Sequence, residues 1–194
     1  MKNEYLYRYF YQWLTSMKNA HLCQNKDEIC FCDEYYHAHI TFYSHLQIME
    51  LSIEEKATQD NVFYLHFEMN DFYTTRKNIM AFFQFLREDY QNKQENSKIH
   101  FSTLKILVCC TSGLTSHYFA ELIKNKQHSI QVDAYPVHQI ETVGEDYDVI
   151  LLAPQIAYMY SQLKKKFGKK VMQIEAIDFA TGNVNHVINS LATI

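Results

Sequence analysis

Lys105-Ile-Leu-Val-Cys-Cys-Thr-Ser-Gly-Leu-Thr-Ser116 passes from a continuous apolar run, through small and hydroxylated residues, into a helical pattern. A short apolar run bounded by turn residues is how a strand buried on both faces reads, as in a parallel sheet. Working outward, Val149–Ala153 is a second such run, and Ile130–Tyr135 and Val171–Ile177 are weaker candidates. Helical periodicity over Leu114–Lys126, Gln155–Phe167 and Asn183–Leu191 alternates with them. The order β-α-β-α-β-α predicts an α/β fold, a four-stranded parallel open sheet flanked by helices. Ligands of such sheets bind at the carboxyl ends of the strands, and Cys110 ends the first one.

The chain before this stretch obeys other rules. All four glycines and both prolines lie after residue 103, whereas all but eight of the 15 Tyr, 13 Phe and single Trp lie before it. Large apolar residues from Tyr5 to Leu22 (Leu6, Tyr9, Phe10, Trp13, Leu14, Met17) recur at helical spacing. Tyr36–Phe42 and parts of Leu46–Ile53 and Val62–Met69 alternate as antiparallel strands do. A second helix follows Asp71, a candidate N-cap, through Phe72, Ile79, Phe82, Phe83, Leu86 and Tyr90. Residues 1–95 are therefore expected to form a small aromatic-rich α+β domain with helices on one face of an antiparallel sheet. A polar linker is expected over residues 96–103, and residues 104–194 make up the α/β domain. The abundance of aromatics reads as core, with a homodimer through the first domain as an open expectation.

The net charge of −4 and the absence of a clustered basic face exclude a general nucleic-acid binder. Lys164-Lys-Lys166 with Lys169-Lys170 reads as a solvated helix end. The start Met1-Lys-Asn-Glu-Tyr-Leu6 has no apolar signal region and no run is long enough to span a membrane, so a cytoplasmic location is expected. With five cysteines in such a chain, free thiols are expected rather than a disulfide framework. His21-x-Cys23, Cys30-x-Cys32 and His37-x-His39 are metal-competent types. They lack a Cys-x2-Cys knuckle and read as the polar face of a sheet, so no metal site is expected.

The chemistry concentrates in Cys110-Thr-Ser-Gly-Leu-Thr-Ser116. Small residues between a strand and a helix let several amides converge on one concave space, a cradle for an anion. The same field favours thiolate over thiol at Cys110. Thr111, Ser112, Thr115 and Ser116 add hydroxyl donors, while Gly113 and Leu114 complete the expected phosphate-binding loop. Cys109, next to Cys110 in a strand, must face the other way and reads as an inert small hydrophobe. Protein tyrosine phosphatases have a similar loop but need arginine six positions after the cysteine. Ser116 stands there, and residues 104–194 contain no arginine.

Lys105–Ser116 resembles the active-site segment of the lactose/cellobiose-type enzyme IIB subunits of the bacterial sugar phosphotransferase system. Asp146-Tyr-Asp-Val-Ile-Leu-Leu-Ala-Pro-Gln-Ile-Ala-Tyr-Met159 is similar to that family's third strand and the loop after it, and Glu175-Ala-Ile-Asp178 to the end of its fourth. The resemblance covers about residues 104–194 and departs from the family at His117, where a hydroxyl residue is usual. It implies phosphorylation of Cys110 by a phosphohistidine-carrying enzyme IIA-type protein, with Pro154 and Gln155 as a second loop at the site. It further implies onward transfer to a sugar at a membrane permease subunit of the enzyme IIC type, without cofactor or metal. Because residues 1–103 match nothing in that family, a regulatory protein whose IIB-like domain reports phosphorylation state is the alternative.

Overall fold

The computed structural model describes residues 4–23, 25, 27–87, 104–127 and 130–191. The chain divides into two compact units, Met1–Arg87 and Glu88–Ile194. The linker expected over 96–103 lies outside the described residues, as does Tyr90.

In the first unit, α1 (Glu4–Thr15) is followed by five strands and α2 (Phe72–Leu86). The strands β1 (His21–Leu22), β2 (Glu28–Cys30), β3 (Tyr36–Tyr43), β4 (Ile48–Glu55) and β5 (Asn61–Glu68) pair antiparallel in sequence order. Alternation decides the faces. Ala38, Ile40 and Phe42 of β3, Met49, Leu51 and Ile53 of β4, and Phe63, Leu65 and Phe67 of β5 are all buried. The helices cover this face: Tyr7 packs edge-on against Phe42, Phe10 stacks on Phe72, and Phe82 meets Phe63. Each large side chain so buried contributes about 1.5–3 kcal/mol relative to exposure. Without glycine, two hairpin turns use Gln47 (φ 58°) and Gln59 (φ 62°) in the left-handed region.

Several sequence expectations shift here. The first helix stops at Thr15 rather than near Leu22, where the hydroxyls of Thr15 and Ser16 donate to the carbonyls of Tyr11 and Trp13 and compete with helix continuation. The short β1 and β2 had no legible alternation. Their hairpin brings the Cα atoms of Cys23 and Cys30 to 6.1 Å and joins them in a disulfide, against the expectation of free thiols throughout. Cys32, Cys109 and Cys110 are free. Asp71 does cap α2, its carboxylate accepting from the Thr74 amide at 2.8 Å. Replacing it with alanine should lower stability by about 1 kcal/mol, read as an earlier urea midpoint for the first unit.

In the second unit, β6 (Lys105–Cys110), β7 (Gln131–Pro136), β8 (Val149–Leu152) and β9 (Val171–Gln173) form a parallel sheet in the order β7-β6-β8-β9. The helices are α3 (Leu114–Lys126), α4 (Ile140–Val143), α5 (Tyr160–Phe167), α6 (Ala176–Thr181) and α7 (Val184–Leu191). Strand β6 splits its side chains between two cores. Ile106 and Val108 join Phe119 and Ile123 of α3 and Val187 and Ile188 of α7. Leu107 and Cys109 join Ile140, Ile156, Leu163 and Phe167. This is the α/β architecture read from the sequence, with two local corrections. The last strand ends at Gln173 instead of Ile177, because Ala176 already begins α6. The helix expected over Gln155–Phe167 starts as a 3-10 segment, Pro154–Met159, broken at Ile156 (φ −116°) before α5. Among the described residues, no helix is long and apolar enough to cross a membrane.

Candidate functional site

Cys110 is the last residue of β6, and Gly113 is the N-cap of α3, so three residues turn the chain from strand to helix. Gly113 has φ 89°, the left-handed region that favours glycine, and a Cβ there would stand 3.3 Å from the Pro136 ring, a tight contact that the ring would have to relax by a few tenths of an ångström. No side chain of the N-cap residue satisfies the first amides of α3. The sulfur of Cys110 takes that place, accepting from the amide of Gly113 at 3.1 Å and from the amide of Ser116. An N-cap oxygen usually serves the amide three positions into the helix; here a thiol from the preceding strand does so.

The hydroxyl of Ser116 lies 3.2 Å from the same sulfur and 3.0 Å from the carbonyl oxygen of Gly113, to which it donates. Burial alone would push the Cys110 thiol up. The hydroxyls of Ser116 and Thr115 and the amides of Ser116 and Gly113 outweigh it and hold the pKa below the ordinary 9.0. Cys109 shows the opposite balance: enclosed in the other core, it is pushed up to about 12 by burial and then by the neighbouring Cys110. Two adjacent cysteines thus differ because the strand points one into donors and the other into hydrocarbon.

The second loop reaches the first. The Ala153 amide donates to the Cys109 carbonyl at 2.8 Å, which sets the end of β8 beside the end of β6. Gln155, buried just beyond, directs its Nε2 toward the Thr115 hydroxyl at 3.5 Å, while its Oε1 is buried without a hydrogen-bond partner. Pro154 is buried at the start of that 3-10 segment. Thr111 and Ser112 lie exposed at the lip, and Leu114 is 78% exposed on the first turn of α3. Of the expected site residues, the structure gathers Cys110, Gly113, Thr115, Ser116 and Gln155 into one contact set.

Sequence reasoning missed Pro136, which ends β7 opposite Cys110 and walls the loop at Gly113. A lone proline closing a weak strand signals an end, not a neighbour. It also missed the pair beyond β9, where buried Asp178 meets Nδ1 of the exposed His186 at 2.5 Å, because a helix stands where a strand was expected. Among the described residues, the His, Cys and acidic groups spaced to hold a metal belong to the first unit.

The family described as the lactose/cellobiose specific IIB subunit of the PTS system matches residues 105–190. The PTS system oligo-beta-mannoside-specific EIIB component of Bacillus subtilis (strain 168) is 30% identical over 82 residues, covering 38% of this chain and 76% of that protein. The solved lactose-specific IIB component domain of the phosphoenolpyruvate:carbohydrate phosphotransferase system from Streptococcus pneumoniae is 21% identical. That likeness covers 46% of this chain and 97% of the domain, with a TM-score of 0.39.

Proposed function

The chain belongs to the lactose/cellobiose specific IIB subunit family of the phosphotransferase system, and from that premise we propose that Cys110 carries the phosphoryl group. Family members are phosphotransferases that work with IIA and IIC partners, so a sugar phosphotransfer component is the class of protein at hand. The observation that supports Cys110 is the environment of its sulfur, held by two amides and two hydroxyls at a helix start.

In the proposed reaction the Cys110 thiolate attacks the phosphorus of a phosphohistidine on a IIA-type partner. The P–N bond breaks as the P–S bond forms, and the leaving imidazole keeps the electron pair and takes a proton from water. Donors that hold the sulfur anion then face phosphoryl oxygens, so the charge remains stabilised through the transfer. In the second step a sugar hydroxyl at a IIC-type permease attacks the phosphorus; the P–O bond forms as the P–S bond breaks, the hydroxyl proton passes to solvent and the sulfur leaves as thiolate. Incubation of the full chain with phosphoenolpyruvate, the general phosphotransferase proteins and a IIA-type partner, followed by mass spectrometry, should place one phosphoryl group on Cys110. Transfer of that group to sugar in permease-containing vesicles separates a carrier from a protein that only reports phosphorylation. A phosphoryl group found on another residue overturns the proposal.

The thiolate requirement gives a pH test. Alkylation of Cys110 should rise with pH through a midpoint below the ordinary thiol value of 9.0. Ser116→Ala removes the hydroxyl that accepts from the Cys110 thiol and, once the thiol has lost its proton, can turn from the Gly113 carbonyl to donate to the thiolate, so the midpoint should move upward. An unmoved midpoint would show that Ser116 does not stabilise the anion.

A further inference from the structure

The open face of the antiparallel sheet brings together residues that lie far apart in sequence. Cys30 and His39 are directly opposed across β2 and β3, and Glu28 lies two residues along the same face of β2. Cys23 follows β1 and donates its amide to the Glu28 carbonyl. One donor atom from each of Cys23, Glu28, Cys30 and His39 lies within 4.8 Å of all the others. His39 Nδ1 is 3.5 Å from the Cys30 sulfur and 2.8 Å from Glu28 Oε1.

We propose that Cys23, Glu28, Cys30 and His39 bind one zinc ion in tetrahedral geometry once the Cys23–Cys30 disulfide is reduced. Two thiolates, one imidazole and one carboxylate are a donor set that suits zinc. Zn–S near 2.3 Å and Zn–N near 2.0–2.1 Å at a tetrahedral angle put sulfur and nitrogen about 3.6 Å apart, close to the spacing already present. The carboxylate has to back away by roughly half an ångström, within reach of a glutamate rotamer. His39 and Glu28 sit on paired strands, which hold ligands more firmly than loops do. A second trio, Cys32, His37 and His39, also lies within 4.8 Å, but it shares His39 and offers one sulfur, so a single ion is expected on the two-thiolate set.

The chemistry balances simply. A phosphine reductant becomes its oxide, taking oxygen from water, while the disulfide gains two electrons and two protons to give two thiols. Zinc binding then releases both thiol protons to solvent, which makes affinity rise with pH. Disulfide and zinc site are alternative states of the same two sulfurs, so metal loading of the first unit would follow its thiol redox state.

The test uses the full chain, kept anaerobic with a phosphine and titrated with zinc chloride. One zinc per chain is expected by elemental mass spectrometry, and none on the oxidised chain. Cobalt(II) in its place should give a thiolate charge-transfer band of two-thiolate intensity that zinc removes. Cys30→Ser and His39→Ala should each weaken zinc by roughly 100-fold or more in chelator competition, whereas Cys32→Ser should leave affinity within about threefold, below the effect of losing even an outer partner. The proposal fails if the cobalt complex shows no thiolate band, a result that needs no variant to fold. Unchanged affinity in His39→Ala, or loss in Cys32→Ser with retention in Cys30→Ser, also overturns it.

Discussion

Cys110→Ser is expected to abolish phosphoryl acceptance from phosphoenolpyruvate through the general phosphotransferase proteins and a IIA-type partner, while Cys109→Ser retains it. Serine at 110 keeps the contacts to Gly113 and Ser116 but has no accessible anion near neutral pH, so the nucleophile is lost with little change of shape. Serine at 109 introduces a hydroxyl among Leu107, Leu152 and Ile156, which costs about 1–3 kcal/mol of stability. The signature is therefore crossed: one variant is stable and inert, the other less stable and active. Mass spectrometry of the labelled chain and a thermal melt read both. Equal loss of acceptance in the two variants, with Cys109→Ser still folded, would refute the assignment.

Gly113→Val should reduce the rate of phosphoryl acceptance by roughly 100-fold, comparable to losing a preorganised donor at an anion. Two effects combine at this residue. A β-branched residue at φ 89° is strained, and its Cβ would press on the Pro136 ring at 3.3 Å. Relief requires the turn to open, which pulls the Gly113 amide from the sulfur it now meets at 3.1 Å. Gly113→Ala carries the same first contact with less bulk and should lose less. Single-turnover phosphorylation of the two variants orders them, and a normal rate in Gly113→Val would remove the loop amide from the proposed mechanism.

The extent to which each unit was legible follows from how its elements are stabilised. Strands β6 and β8 are buried on both faces, so their apolar runs announce themselves without reference to partners. The alternation of β3, β4 and β5 likewise records which side chains meet the helices. Strands β1 and β2, of two and three residues, are too short to show a period and exist through pairing alone. The boundary between β9 and α6 was misread for a related reason, since Ile174, Ala176 and Ile177 are all buried and so short an apolar run reads alike as a strand end or a helix start. Burial pattern cannot separate a short strand from a helix start.

What the sequence by itself determined is the parallel-sheet class, the antiparallel partner before it, and the opposed directions of Cys109 and Cys110, because side-chain alternation along a strand is a local property of the backbone. Tertiary structure decided which donors face the Cys110 sulfur. Ser116 reaches it through the helical turn that starts at Gly113, and Gln155 reaches Thr115 only because β8 lies beside β6. It also decided that Cys23, Glu28, Cys30 and His39 share one spot. Strand register sets that meeting, and register depends on contacts between distant segments that no local spacing in the chain records.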